Sequence, residues 1–203
     1  GGGGADSLTG SSVNANTFTL QGLDFGTFSN GTSTAFSAIP TLIGGTGFPN
    51  LLRATPTSST NTWNITNPNA GTVSLLSGGF SAMTDITGGS GVDIVTIGAT
   101  GTLNGTANGG VGSADQLIAR NGTNTWSFIS VTGGTLTNLG DFTNFEIFTG
   151  GSGADNFGYG AAITITGSID GGAGTDTFTG RNTPITWNIT GTNSGTQSLL
   201  TGT

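Results

Sequence analysis

The sequence predicts an all-β chain: a parallel β-helix (β-solenoid) of about ten coils of about 21 residues, three coils to each repeat of about 62 residues. Three observations lead there. A glycine-rich phrase keeps returning, as GGGGADSL at Gly1, GGSGVDIV at Gly88, GGSGADNF at Gly150 and GGAGTDTF at Gly171, with looser forms at Gly44 (GGTGFPNLL) and Gly109 (GGVGSADQL). Phe18, Trp63, Trp126 and Trp187 occupy one slot in successive copies, each followed at a constant distance by a Gly-Thr pair: Gly26-Thr27, Gly71-Thr72, Gly134-Thr135 and Gly195-Thr196. Apolar residues alternate with polar ones over short runs, and no run keeps the 3.6-residue period of a helix.

Taken in order, the copies span approximately 1–43, 44–108, 109–170 and 171–203 of one continuous unit. Each begins at a corner where glycines let the backbone turn sharply, an Asp can bond nearby amides, and an apolar residue two places on starts an inward-facing strand. The first copy carries Phe18 in NTFTLQ, and Phe18 to Trp63 is short of the later intervals by about one coil, a loss that a stack of coils tolerates. In the second, Trp63 pairs in phase with Ile65 and Val95 with Ile97; in the third, Trp126 with Phe128, Phe157 with Tyr159 and Ile163 with Ile165. Phe36, Phe80 and Phe142 each precede a double glycine by the same distance. Strands stacked about 4.8 Å apart would make ten coils a rod of roughly 50 Å.

Composition narrows the function. Glycine supplies 40 of the 203 residues without the period of collagen, and charged residues are only 6%. Cys, His and Lys are absent; Arg53, Arg120 and Arg181 stand against ten acids, for a net charge of −7. Such a chain offers no basic face for nucleic acid or anionic lipid, and no stretch is apolar enough to cross a membrane. Absent cysteine fits a large exported protein, so an extracellular or cell-surface place is expected, with any export signal outside this sequence.

GGSGADNF and GGAGTDTF resemble the nonapeptide of hemolysin-type calcium-binding (RTX) repeats. FTNFEIFTGGSGAD and GSIDGGAGTDTFTG are similar to repeats of very large bacterial surface proteins of the filamentous-haemagglutinin and RTX-adhesin kind. The resemblance implies an exported, rod-like stalk or fibre for adhesion, surface coating or biofilm matrix. It also implies a cofactor, Ca²⁺, held by corner carbonyls and by Asp93, Asp115, Asp155 and Asp176. The spacing would stack Asp93 on Asp115 and Asp155 on Asp176 in neighbouring coils, and close carboxylates repel unless a cation or proton intervenes. The phrase comes about once per coil, however, where RTX repeats come every nine residues. Each Asp can instead cap its own turn through backbone amides.

The other candidates are weaker. Trp63, Trp126 and Trp187 would suit a glycan, but their phase with Ile65, Phe128 and Ile189 places them in the core. The arginines, each just ahead of a Trp, suit a surface ion pair or a stacked guanidinium. Catalysis lacks material, since the acids fall at repeated corners and no Lys or His can serve as base. Thr-x-Thr runs at Thr17, Thr164 and Thr177 have the form of an ice-binding ladder, which lapses in the aligned copies at Gln116 and Ile118. Sequons occur at Asn30, Asn64, Asn104, Asn121 and Asn188, as a chain rich in Asn and Thr would produce by chance. Without polar caps the coils are expected to continue, into further repeats of the chain or head to tail into copies of itself.

Overall fold

The structure is a computed structural model and describes residues 4–55, 60–159, 163–165, 167–180, 185–191 and 194–199. Among these every regular element is a strand. The short alternating runs, broken by Gly, Asn and Thr-rich turns, leave nothing from which a helix could be built. Two mixed sheets take nearly all of them, sheet I with nine strands and sheet II with eleven.

The path alternates between the two sheets. β1 (Ser7–Thr9) lies in sheet I and β2 (Asn16–Gly22) in sheet II, where β3 (Phe25–Ser29) and β4 (Ser33–Phe36) follow it as an antiparallel meander. The chain crosses to sheet I for β5 (Thr41–Ile43), returns for β6 (Asn50–Ala54), and enters a second meander in sheet I: β7 (Asn61–Asn67), β8 (Ala70–Val73) and β9 (Gly79–Ser81). Four single strands then alternate II, I, II, I: β10 (Asp85–Thr87), β11 (Asp93–Ile97), β12 (Leu103–Asn108) and β13 (Gln116–Ile118). The third meander, β14 (Thr125–Ser130), β15 (Gly133–Leu136) and β16 (Leu139–Thr143), is back in sheet II. β17 (Ile147–Thr149), β18 (Asn156–Tyr159), β19 (Ser168–Asp170) and β20 (Thr177–Thr179) again alternate, I, II, I, II, and β21 (Ile185–Gly191) with β22 (Ser194–Leu199) forms a separate hairpin.

Single strands pair in parallel with their counterparts a turn of chain away. Ile94 faces Gln116, Ile147 faces Ser168 and Asn156 faces Thr177, the last two at the expected interval of about 21 residues. The expectation of parallel strands throughout is corrected at the aromatic and Gly-Thr segments. These are antiparallel hairpins, with Trp126 opposite Leu136 and Trp63 opposite Val73, and they do not form coils of their own. The reason lies in the segment NTWSFISVTGGTL: two runs joined by the tight Val131-Thr132 turn satisfy each other's backbone groups locally, with Gly133 and Gly134 opening the return strand. The recurring Gly-Thr glycine is the one that faces the partner strand closely. A Cβ on Gly26, Gly71 or Gly134 would fall on the carbonyl oxygen of Thr19, Asn64 or Ser127 respectively.

One hydrophobic cluster draws on both sheets. Phe18, Leu52, Ile86, Phe128 and Phe157 come from sheet II, and Leu42, Trp63, Val95, Leu117 and Phe148 from sheet I. Trp63 and Trp126 are buried among them, as their phase predicts, whereas the side chain of Trp187 lies outside the described residues. After each meander the chain changes sheet through a non-glycine residue of positive φ: Ala38 at 54°, Ala82 at 55° and Asn144 at 56°. Such a conformation costs of order 1 kcal/mol in alanine and persists because the strands on both sides are fixed.

Candidate functional site

The residues singled out by their corners stand in columns along the two sheets, buried except at Glu146 and Asp176, which are partly buried. Each column is made by residues that open a strand or stand immediately before it, and a glycine corner precedes each of them except Asn61 and Glu146. In sheet I the column runs Asn61, Asp93, Asp115, with Glu146 beyond. In sheet II it runs Asn124, Asp155, Asp176 in one stretch and Asn16, Asn50 in another. Asp93 and Asp115 are thus brought together, as are Asp155 and Asp176, and the two pairs sit in different sheets.

The hydrogen bonds define what these groups do. Asp93 Oδ2 accepts the amide N–H of Gly89 at 2.8 Å, and its Oδ1 accepts Asn61 Nδ2 at 2.9 Å and the Trp63 indole N–H at 3.3 Å. The Asp93 amide in turn donates to Asp115 Oδ1 at 2.7 Å, and the Asp115 amide to Glu146 Oε2 at 3.0 Å. The second column repeats the scheme: Asn124 donates from its amide and from Nδ2 to Asp155 Oδ1, at 2.8 and 2.7 Å, and the Asp155 amide donates to Asp176 Oδ1 at 3.0 Å. Asp115, Glu146, Asp155 and Asp176 therefore satisfy the backbone amide at the start of the strand beside them, whereas Asp93 takes side-chain N–H groups of that strand. The corner glycines make the room, since a Cβ on Gly88 would sit 2.5 Å from Asp93 Cγ and one on Gly150 would sit 2.6 Å from Asp155 Oδ2.

The first column stretch shows the neutral version. Asn16 Nδ2 donates to Asn50 Oδ1 at 2.7 Å, and Asn50 holds its own corner through Gly45 N–H and the Gly45 carbonyl. The aromatic two places after Asn16 is Phe18, with no N–H to offer, and the partner in the next strand is Asn50; after Asn61 and Asn124 it is Trp, and the partner is Asp93 or Asp155. A buried carboxylate needs more donors than a buried amide, and at Asp93 the indole supplies one of them. The asparagines and Glu146 escape a reading built on the Asp corners alone. The pattern Asn-x-aromatic at Asn16, Asn61 and Asn124 is the signal that marks them.

Asp115 is the strained member. Burial pushes its carboxyl up to about 6, against the lowering effect of the Asp93 N–H, and the like charges of Asp93 and Glu146 add to the rise. Its Oδ2 is buried without a hydrogen-bond partner, as is Oδ2 of Asp155. A group whose folded pKa lies above its unfolded value destabilises the fold when ionised, so its cost is present above pH 6 and disappears as pH falls through about 6 toward 4. Acidification from pH 7.5 to 5 should therefore stabilise the chain by about 1 kcal/mol, and Asp115→Asn should stabilise it at pH 7.5 and flatten that rise. Urea melts at the two pH values check this, and an Asp115→Asn variant that keeps the parent's slope contradicts it.

Among the described residues, no group of three or more Asp, Glu, His or Cys side chains is placed to hold a metal ion. Asp93 and Asp155 already accept protein N–H groups, which favours the capping role over a calcium site. The expected melting temperature is the same in excess calcium and in EGTA, and a drop of 5 °C or more in EGTA would assign a structural ion to the columns. Away from the columns, an open depression of about 290 Å³ on sheet II is lined by Leu51, Asp85, Ile86, Thr87, Thr106 and Asn108. Asp85 is committed there to the Thr106 amide at 2.9 Å and the Thr84 hydroxyl at 2.7 Å. Arg53 is exposed on β6, Arg120 lends its carbonyl to Asn124, and Arg181 lies outside the described residues. Comparison with known protein families, curated proteins and solved structures finds no match.

Proposed function

We propose that this chain is a β-solenoid segment of an extracellular or cell-surface fibre or stalk, of the kind used for adhesion, surface coating or biofilm matrix. Its role is structural and not catalytic, and length is added by coils continuing end to end, into further repeats or onto copies of itself. The observation that carries the reading is the column: corner after corner places one Asn or Asp over its predecessor, each bonding the strand beside it. That is a device for propagating a stack, and it assembles no cleft. The acidic composition, the absence of cysteine and the few charges support an extracellular place, and the same acidity argues against nucleic acid as partner.

The test is shape. Eleven strands at about 4.8 Å give an extended particle of roughly 50 Å per copy, which small-angle scattering resolves from a sphere of the same mass. Negative-stain microscopy at rising concentration should show rods lengthening in multiples of that step. A spherical scattering profile that stays monomeric at every concentration would sink the reading.

A further inference from the structure

The fibre reading, on which this inference rests, needs a surface where one copy meets the next, and among the described strands sheet II ends in two edge strands. β4 is outermost at one end and β20 at the other, and among the described strands none pairs with the outer side of either. An open strand edge is a template for another strand.

The chain itself shows what belongs beside β4. The strand that closes each later meander has a parallel neighbour on the corresponding side: β9 pairs with β5, Phe80 opposite Leu42, and β16 pairs with β12, Phe142 opposite Ala107. With those neighbours in place Phe80 and Phe142 are 4% and 0% exposed. Phe36 occupies their slot in β4, which lacks the neighbour, and it is only partly buried. At the far end Phe178, the middle residue of β20, is also partly buried, with the Tyr159 ring 5.3 Å from its own. The directions agree. β20, β18 and β14 run in parallel, β14 and β16 both oppose β15, β16 through β2 run in parallel, and β2 and β4 both oppose β3. β20 therefore runs the same way as β4, and copies stacked head to tail present the two edges in parallel.

We propose that copies of this chain join head to tail through sheet II, β20 of one copy pairing in parallel with β4 of the next, Phe178 beside Phe36 and Thr177 beside Ala35. The junction repeats the pairing that β5·β9 and β12·β16 make within the chain, and it adds cover to two partly buried rings at once. Sheet I carries a matching pair of ends, with Leu8 in β1 and Ile169 in β19 partly buried. Such an interface is heterologous and does not close on itself.

Because the chain has no cysteine, pairs can be introduced cleanly. Thr177 and Ala35 are both exposed, and neighbours in a parallel pair lie within disulfide reach. Under mild oxidation Ala35→Cys combined with Thr177→Cys should give a ladder of dimers, trimers and higher species on a non-reducing gel. Each single variant should stop at dimers, and Ala35→Cys with Thr179→Cys, two residues out of register, should cross-link at least tenfold less. Filaments by microscopy with no preference for the Thr177 pair would overturn this junction and leave the fibre reading standing. Monomers at every concentration, with no linked species, would overturn both.

Discussion

Trp126→Ala should cost about 4 kcal/mol of unfolding free energy in urea melts, the largest loss of any single truncation in this core. The indole is 1% exposed and stands at the centre of a cluster of rings: stacked on Phe157 at 5.4 Å and on Phe128 at 6.2 Å, edge-on to Phe142 at 5.8 Å and to Phe148 at 5.9 Å. Removing it leaves a void bordered by four aromatic faces that the fixed ladders on both sides cannot collapse to fill. Trp126→Phe should cost much less, about 1 kcal/mol, because Phe18 fills the same slot in the first copy and the Trp126 indole N–H is buried with no partner to lose. Trp63→Phe should be the more damaging of the two Phe variants, since it removes the N–H that Asp93 Oδ1 accepts at 3.3 Å. A Trp126→Ala loss under 2 kcal/mol, or the reverse order of the Phe variants, would show that the ring cluster is less rigid than its geometry indicates.

Gly45→Ala should cost about 3 kcal/mol, although it adds only a single methyl group, because the corner is buried. The added Cβ would fall on the Ser11 carbonyl oxygen of the adjoining turn and 2.9 Å from Asn16 Nδ2, and neither can retreat. Ser11 is held by Asn16 at 2.7 and 2.8 Å, and Gly45 itself is held by Asn50 through its N–H at 3.1 Å and its carbonyl at 2.8 Å. The substitution therefore pries apart two turns and disturbs the Asn16–Asn50 contact between them. Gly158→Ala is the matched control: its nearest neighbour would be the Trp126 carbonyl oxygen at 3.7 Å and its φ is not positive, so the change should be neutral or mildly stabilising. Chemical denaturation of the two variants side by side separates crowding at the corner from the general cost of replacing glycine.

What the sequence made legible was whatever depends on a residue's own neighbours in the chain. Alternation placed Trp63, Trp126 and Phe157 inward, and the spacing of the Asp corners placed Asp93 beside Asp115 and Asp155 beside Asp176, where hydrogen bonds from amide to carboxylate now join them. The meanders were hidden because a hairpin and its return strand take up nearly as many residues as a coil, so spacing alone does not separate the two. The Asn partners were hidden for another reason: Asn is common in this chain, and only its constant offset from an aromatic distinguishes Asn61 or Asn124 from a loop residue. Ala38 and Ala82, the positive-φ residues where the path changes sheet, carry no local signature, because the strands around them impose the conformation.

The placement of the meanders bears on how such a chain can change through descent. Two single strands separate the first meander from the second, β5 and β6, whereas four separate the second from the third, β10 to β13. The difference is one strand from each sheet, so the next meander still lands on the face opposite its predecessor. Loss or duplication of this two-strand parcel therefore leaves every later residue on its proper face. An odd parcel would instead bring successive meanders onto one sheet.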